Sequence, residues 1–195
     1  MDKKSVAIFV DWDNIRKGVF GAASKILSKK VSFNDIDNVL KFITAFIDHS
    51  DEEIYRIFVY LCEAYSGTEN GVDYKQTPVY KYSRNFIDTL QIRDNIAVRK
   101  GNIAYRGLDI NKEPIFEQKQ VDMLLGLDIA HVSYNHLADR VLILSCDLDM
   151  IPAMKVARTN GLQVVCGCCP DVQPISSQLK KHSDFIRGIN FSEIF

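Results

Sequence analysis

The chain has 195 residues, of which 47% are hydrophobic and 25% are charged, the composition of an ordinary globular protein built as one domain. Its 24 Lys and Arg residues nearly balance its 25 Asp and Glu residues, so the net charge of −1 predicts no overall attraction to nucleic acid or to an anionic membrane. If bound metal neutralises four of the 25 acids, however, 21 remain against 24 basic residues, and a polyanionic substrate is compatible with this balance.

The apolar segments of the chain are short. Residues 6–10 are an apolar run that follows a charged start, and such a run is too short for a signal peptide or a membrane span. No later run reaches the ~18 uninterrupted apolar residues of a spanning helix, so we expect a cytoplasmic protein with no membrane partner. The five cysteines are an odd number without a disulfide framework, and we expect reduced thiols.

The predicted elements alternate between strands and helices. Apolar, β-rich runs predict strands at 6–10, 53–63, 141–144 and 162–166, and extended structure at 96–105 with a turn at 101–102. Helical spacing predicts helices at 15–28, at 34–48 with Asn34 as N-cap, and at 78–92, 119–135 and 149–159. Polar loops are predicted at 65–76 and 109–114. This alternation is typical of a doubly wound α/β sheet, here as a single domain over residues 1–195.

Aspartates follow two of the predicted strands. Asp11 ends the first strand, and Asp147 and Asp149 follow the strand at 141–144. The carboxyl ends of parallel strands meet at one edge of an open α/β sheet, where ligands bind. Because carboxylates gathered there repel one another unless a cation lies between them, the set predicts a metal site. A single Asp after a strand is more often a turn or capping residue, and Asp149 is placed to cap the next helix.

Two more aspartates belong to the helix predicted at 119–135. Asp122 lies in its first turn, where the helix dipole favours an acid as well as a site would. Asp128 is six residues further along, about 120° around the helix axis, so both carboxylates cannot point at one ion. We therefore predict that Asp128 contacts the metal-binding residues rather than the ion itself, or that it orients a Lys or Arg side chain.

A set of motifs extends over nearly the whole chain. The motifs are Asp11 with Asn14, Lys119 and Val121 with Asp122 and Asp128, Ser145 with Asp147 and Asp149, and the segment through 99–101 and 105–107. This pattern resembles the NYN domain of the LabA-like group, in the PIN-like nuclease superfamily. The resemblance implies a Rossmann-like, PIN-like three-layer α/β sandwich with a central, mainly parallel sheet. It also implies a metal-dependent ribonuclease that hydrolyses RNA phosphodiester bonds.

The resemblance implies roles for individual residues. Asp11, Asp122, Asp147 and Asp149 match the catalytic acids that hold Mg²⁺ or Mn²⁺, and Asn14 matches their polar partner. Ser145 matches the serine of the group's Ser-Gly-Asp-x-Asp-Phe pattern. Three departures affect backbone and packing rather than acids, so they bear on substrate preference more than on metal binding. These are Cys146 and Gln120, each in place of Gly, and Met150 in place of Phe.

The predicted partner is nucleic acid, with single-stranded RNA as substrate. Trp12 is predicted to stack a base, although a core position suits this side chain equally well. Lys119 and Arg106 are predicted phosphate contacts and Ser145 a further substrate contact. For the charged residues, an ordinary solvated surface position is the alternative.

Two other functions stay open. Asp11 and Asp13 have the spacing of a haloacid-dehalogenase-type phosphatase, whose first carboxylate is a covalent nucleophile. Ile15, however, stands where that class has Thr or Val. A non-catalytic RNA-binding or adaptor module with the same fold is the second alternative.

Two apolar segments have alternative structural roles. Cys166, Cys168 and Cys169 lack the paired spacing of common zinc sites, so we favour buried thiols over a metal cluster. Apolar residues near the end of the chain either dock on the sheet or form the contact of a homodimer. These residues are Phe191, Ile194 and Phe195.

Overall fold

The computed structural model describes residues 2–28 and 30–195, and Met1 and Lys29 lie outside the described residues. The described strands are β1 (Lys4–Asp11), β2 (Glu52–Cys62), β3 (Thr68–Glu69), β4 (Val72–Asp73), β5 (Ile96–Leu108), β6 (Pro114–Lys119), β7 (Arg140–Leu144), β8 (Gln163–Cys168) and β9 (Phe185–Gly188). Seven of them form one sheet in the order β6-β5-β2-β1-β7-β8-β9. Neighbouring strands in this sheet are parallel except for β5 and β6, and β3 pairs with β4 in a separate hairpin.

Helices cover both faces of this sheet. In the described part of the chain they are α1 (Trp12–Asn14), a π-helical segment (Ile15–Phe20), α2 (Gly21–Ile26), α3 (Ile36–Thr44), α4 (Pro78–Gln91), α5 (Val121–Tyr134), α6 (Ile151–Thr159), α7 (Ser177–His182) and α8 (Phe191–Ile194). Two 3₁₀ turns lie at Tyr74–Gln76 and Leu148–Met150. None of these described helices has both the length and the apolar composition needed to cross a membrane.

The strand β1 is buried because its side chains alternate between two cores. Val6, Ile8 and Val10 pack with α3 and α4 on one face of the sheet, whereas Ala7 and Phe9 pack with α5 and α6 on the other. A strand that is covered on both faces has no polar side, which explains the unbroken apolar run of residues 6–10. The predicted three-layer α/β fold is therefore confirmed, while the single domain over 1–195 stays a prediction.

The β5–β6 pair differs from the predicted elements. β5 continues through Gly101 and Asn102 without the predicted turn, because Asn102 pairs with Lys119 of β6. Lys119 was predicted to begin a helix, but it ends β6, and α5 begins at Val121. Local periodicity does not report this antiparallel partner, since the pairing depends on tertiary context. The N-cap predicted at Asn34 is also wrong, because the Asp35 carboxylate caps α3.

The end of the chain docks on its own core. Phe191 and Ile194 are buried, and the centroid of the Phe191 ring lies 5.5 Å from that of Phe20. The Phe195 ring centroid is 6.0 Å from that of Phe20. The docking alternative is therefore confirmed for these side chains, and they lend no support to a homodimer.

A buried ion-pair network joins three strands. The carboxylate of Glu52, which is 1% exposed, accepts hydrogen bonds from Arg140 at 2.7 Å and from Arg187 at 2.6 Å. The Asp48 backbone N–H donates a further bond at 2.9 Å. Burial acts to raise the pKa of Glu52, but the hydrogen bonds from Arg187, Asp48 and Arg140 outweigh it and hold the pKa below its usual value.

Replacing Glu52 by Gln removes the negative charge that both guanidinium groups contact, so we expect the free energy of unfolding to fall by about 3–5 kcal/mol. Because the pKa of Glu52 is lowered on folding, the stabilisation is present above the unfolded value of 4.5 and is lost as the pH falls through the folded value. Urea unfolding at neutral and acidic pH measures this difference, which should shrink in acid.

The exposed neighbour supplies the control for this experiment. Glu53→Gln changes a solvated carboxylate on the same strand and should alter stability by less than about 0.5 kcal/mol. Equal effects of the two substitutions would contradict the assignment of the network to Glu52.

Gly101 lets β5 approach the start of α5. A Cβ at this position would lie 2.6 Å from the backbone oxygen of Lys119 and 2.7 Å from Cγ2 of Val121. Both contacts are closer than real Cβ atoms show, and the first is to backbone that cannot rotate away. The absence of a side chain at Gly101 therefore allows β5 to lie this close to the first residue of α5.

We expect Gly101→Ala to lower the free energy of unfolding by about 1–3 kcal/mol, because the added methyl overpacks this contact. Gly126→Ala is the matched control in α5, where a Cβ meets nothing within 4 Å. In a helix interior that change should instead raise stability by about 0.5–1 kcal/mol. Urea denaturation compares them, and a neutral Gly101→Ala would contradict the close approach.

Candidate active site

The candidate site lies where the order of the strands in the sheet reverses, between β1 and β7. From β1 the chain adds β2 and β5 on one side of the sheet, then returns to add β7, β8 and β9 on the other. Val10 of β1 pairs with Leu144 of β7, so the residues that follow, Asp11 and Ser145, emerge side by side. Such a topological switch point, outside the carboxyl ends of the strands, is where open α/β sheets bind ligands.

Asp11 is a buried carboxylate held by neutral donors. Its Oδ1 accepts a hydrogen bond from the Asn14 backbone N–H at 3.2 Å, and its Oδ2 accepts one from the Ser145 hydroxyl at 3.1 Å. The side chain belongs to a residue that is 6% exposed. Burial raises the pKa of Asp11 to about 6, and the nearby carboxylates of Asp122 and Asp13 act in the same direction, against the two hydrogen bonds.

Ser145 connects the ends of the two strands. Its hydroxyl donates to Asp11 and accepts from the Asp147 backbone N–H at 3.1 Å, and the residue is buried. Asp147 in turn accepts from the Asp149 backbone N–H at 2.9 Å. The predicted substrate contact at Ser145 is therefore corrected, because its hydroxyl is engaged within the protein and positions Asp11 and the Asp147 loop.

Asn14 joins the loop after β1 to two other loops. Its Oδ1 accepts from the Cys146 backbone N–H at 3.2 Å and from Gln173 Nε2 at 3.4 Å. The sequence did not predict Gln173, and no motif around it signals a site. Its side chain lies against Gly18, where a Cβ would be 2.4 Å from Nε2. Oε1 of Gln173 is buried and has no hydrogen-bond partner in the part of the chain that the structure describes.

Asp122 faces the same space from α5. Its pKa is raised, first by burial and then by the carboxylates of Asp147 and Asp149. One cavity of about 430 Å³ is lined by Asp11, Asp122 and Asp147 together. The structure thus brings three predicted acids to one cavity, and Asp149 acts on Asp122 through its charge.

The carboxylates that line the cavity are the type of ligand that a hard divalent ion binds. Mg²⁺ and Mn²⁺ prefer oxygen ligands, and Mg²⁺ keeps several waters when it binds carboxylates. Carboxylate oxygens from Asp11, Asp122 and Asp147 meet this preference. Within residues 2–28 and 30–195, however, no three His, Cys, Asp or Glu side chains are gathered tightly enough to hold an ion directly. The residues therefore fit such an ion by donor type, with water completing its ligands.

Asp13 also lines this cavity, but its carboxylate binds two basic side chains. It pairs with Arg16 at 2.6 Å and also with Lys17. Burial acts to raise the pKa of Asp13, but the hydrogen bonds from Lys17 and Arg16 outweigh it and lower the pKa. Both carboxylate oxygens of Asp13 are therefore engaged by basic side chains within the protein.

Trp12 does not offer a face for base stacking. It is 6% exposed, and its ring is stacked on Phe86 with centroids 5.1 Å apart and planes 18° apart. Phe20 lies at 6.2 Å, tilted against it. The predicted stacking role is therefore corrected in favour of the core alternative.

The other predicted contacts lie away from the acids or are paired elsewhere. Lys119 and Arg106 both bind Glu117 on the exposed β5–β6 hairpin, Arg106 at 2.6 Å. Asp128 accepts from the Tyr60 hydroxyl at 2.8 Å and from Arg99 Nε at 2.7 Å. Asp128 thus orients an arginine, one of its two predicted roles, and supports none of the four site aspartates.

The cysteine cluster lies in the core. Cys166, Cys168 and Cys169 are buried free thiols, as the core alternative predicts. Burial raises the pKa of Cys166 to about 11 and that of Cys169 to about 12.

Gln120, which stands where the family pattern has Gly, adopts a backbone conformation that favours Gly. Gln120 precedes α5 with φ +75°, in the left-handed region where Gly is free of side-chain strain. Its Oε1 accepts from Asn102 Nδ2 at 2.9 Å, which ties the strained residue to β5. The left-handed conformation that Gly would adopt without strain is therefore stabilised at Gln120 by its hydrogen bond with Asn102.

The raised pKa of Asp11 predicts a pH-dependent stability in metal-free protein. Because the unfolded carboxyl ionises near 3.8 and the folded one near 6, stability decreases as the pH rises between these values and stays lower above them. We expect Asp11→Asn to be more stable than the wild type by about 1–3 kcal/mol at neutral pH, without this decrease. Urea unfolding in EDTA from about pH 4 to about pH 8 measures it.

Asp94→Asn, at an exposed position, is the control for this titration and should follow the wild type at every pH. If Asp11→Asn were the less stable protein at neutral pH, the charge on Asp11 would not be destabilising and the assignment of its raised pKa would be wrong.

Comparisons with known proteins bear on the family and the fold. A search of curated proteins found no match. A solved protein of unknown function from Vibrio parahaemolyticus is similar at 17% identity and a TM-score of 0.56, over 97% of this chain and 94% of that chain. A nicotinamidase from Staphylococcus aureus matches at 15% identity and a TM-score of 0.32, over 93% of this chain and 90% of that one. The first likeness supports the fold alone, and the second is too weak to support an argument.

The sequence model of the NYN domain matches residues 5–187, a span that includes every candidate site residue described above. The chain therefore belongs to the NYN domain family, within the PIN-like nuclease superfamily.

Proposed function

We propose that this protein is a cytoplasmic ribonuclease of the LabA-like group that hydrolyses single-stranded RNA with Mg²⁺ or Mn²⁺. The observation that carries the proposal is the cavity at the switch point, which Asp11, Asp122 and Asp147 line together. Burial raises the pKa of both Asp11 and Asp122, and repulsion from neighbouring carboxylates adds to the increase. A divalent cation bound between the carboxylates would offset their repulsion, so the charges of the site favour metal binding.

The ion would be held chiefly by Asp11 and Asp147, with Asp122 and Asp149 as further ligands or as residues that position water. When bound, it supplies an activated water and stabilises the oxygen that leaves the phosphodiester. Asn14 and Ser145 keep the two strand-end loops together, so that the carboxylates of both loops stay at one place. Lys17 lines the same cavity and brings a positive charge to the RNA backbone.

The decisive experiment incubates labelled single-stranded RNA with purified protein, with and without Mn²⁺. We expect cleavage that EDTA abolishes and that Asp147→Asn lowers by at least about a hundredfold, because the substitution removes a metal ligand from the site. Asp94→Asn is the matched control and should cleave at the wild-type rate. Cleavage that survives both EDTA and Asp147→Asn would overturn the mechanism.

A further variant separates the nuclease from the phosphatase. Asp13→Asn would abolish a haloacid-dehalogenase-type reaction, but it should reduce RNA cleavage only modestly, because Asp13 acts here through Arg16 and Lys17. Tight RNA binding without cleavage in any metal would instead favour the adaptor module.

A further inference from the structure

A second cavity lies beside the acidic one. It has a volume of about 410 Å³, and its walls are mainly aromatic and apolar, with Trp12, Phe33, Tyr82, Phe86 and Ile103 among them. Trp12 and Phe86 form a stacked, buried wall. Tyr82 of α4 is 70% exposed and also lines this cavity.

The two cavities share a boundary. Asp13 and Gln118 line both of them. The Asp13 carboxylate holds Arg16, which lines the aromatic cavity, and Lys17, which lines the acidic cavity. A ridge with one cation on each side therefore separates the acids from the aromatic walls.

The chemistry of the aromatic cavity suits a flat, uncharged ring with polar edges. Small-molecule sites combine apolar walls with a few polar groups, and aromatic faces stack bases of single-stranded nucleic acid. Ser83, Asn34 and Gln118 supply polar groups among the apolar walls. The Arg16 guanidinium lies 5.7 Å from the centroid of the Phe33 ring, which holds its charge at the cavity edge.

From this arrangement we propose that the aromatic cavity binds a nucleobase of the RNA strand, next to the phosphodiester that enters the acidic cavity. The proposal rests on the proposed function, since the acidic cavity gives the strand its position. The backbone of the strand crosses the ridge, where Arg16 and Lys17 neutralise its phosphates, and the base stacks against Tyr82. Trp12 contributes to the wall and takes no part in the stack.

The chain offers a direct readout, because Trp12 is its one tryptophan and lines the cavity. Titration of the metal-free protein in EDTA with a hexaadenylate RNA should change Trp12 fluorescence saturably. An oligomer of the same length and charge without bases should bind at least about tenfold more weakly and leave the fluorescence unchanged, since stacking contributes about 5- to 150-fold per base.

Substitutions at two exposed tyrosines test whether the base stacks on Tyr82. Tyr82→Ala should weaken hexaadenylate binding by about tenfold, and Tyr82→Phe, which keeps the ring, should restore it. Tyr134→Ala is the matched control, because Tyr134 is 63% exposed at the far end of α5 and lines neither cavity. Equal affinity for the two oligomers, or equal effects of Tyr82→Ala and Tyr134→Ala, would overturn the proposal.

The outcome does not depend on turnover. A saturable, base-dependent signal without any cleavage in the RNA assay would support the base site and reject the nuclease. Cleavage without a base-dependent signal would leave the nuclease intact and reject the base site.

Discussion

The register between β1 and β7 is the constraint on which the candidate site depends. Val10 lies opposite Leu144, and this places Asp11 beside Ser145 at the switch point of the sheet. A slip of one residue would turn every side chain of β1 to the other face. The register is held because both faces of β1 are buried against apolar layers, so no shifted alignment keeps Val10 and Phe9 in their own cores. The core of the protein thus positions its carboxylates.

Two buried carboxylates show how the same group serves opposite purposes. Glu52 at the start of β2 faces two guanidinium groups, and its pKa is lowered, so its charge stabilises the fold. Asp11 lies at the opposite end of the sheet, and its hydrogen-bond donors in the described chain are neutral. Burial raises its pKa to about 6. The charge of Asp11 therefore destabilises the metal-free protein. Charged residues that destabilise the fold in this way are more typical of functional sites than of the structural core.

Asp13 connects the acidic cavity to its surroundings. By binding Arg16 and Lys17 it keeps two cations beside a site that is otherwise rich in negative charge. A polyanion that approached the acids alone would be repelled, and the two cations offset that repulsion at the boundary of the cavities. A chain with a net charge of −1 thus places two cations beside its acidic cavity, where the proposed RNA strand would pass.

The sequence by itself determined the parallel α/β core and the strand ends that carry acids, because unbroken apolar runs such as 6–10 and the polar residues after them are local signals. Its motifs also resemble those of the NYN domain, the family that the match over residues 5–187 shows. Only the tertiary structure decided what depends on contacts distant in the chain. These include the strand at Pro114–Lys119, the burial of Trp12 and Ser145, the pairing of Asp128 with Arg99, and the place of Gln173 beside Asn14. Periodicity reports which face of an element is apolar, but it carries no information about which partner covers that face or which hydroxyl a buried carboxylate meets.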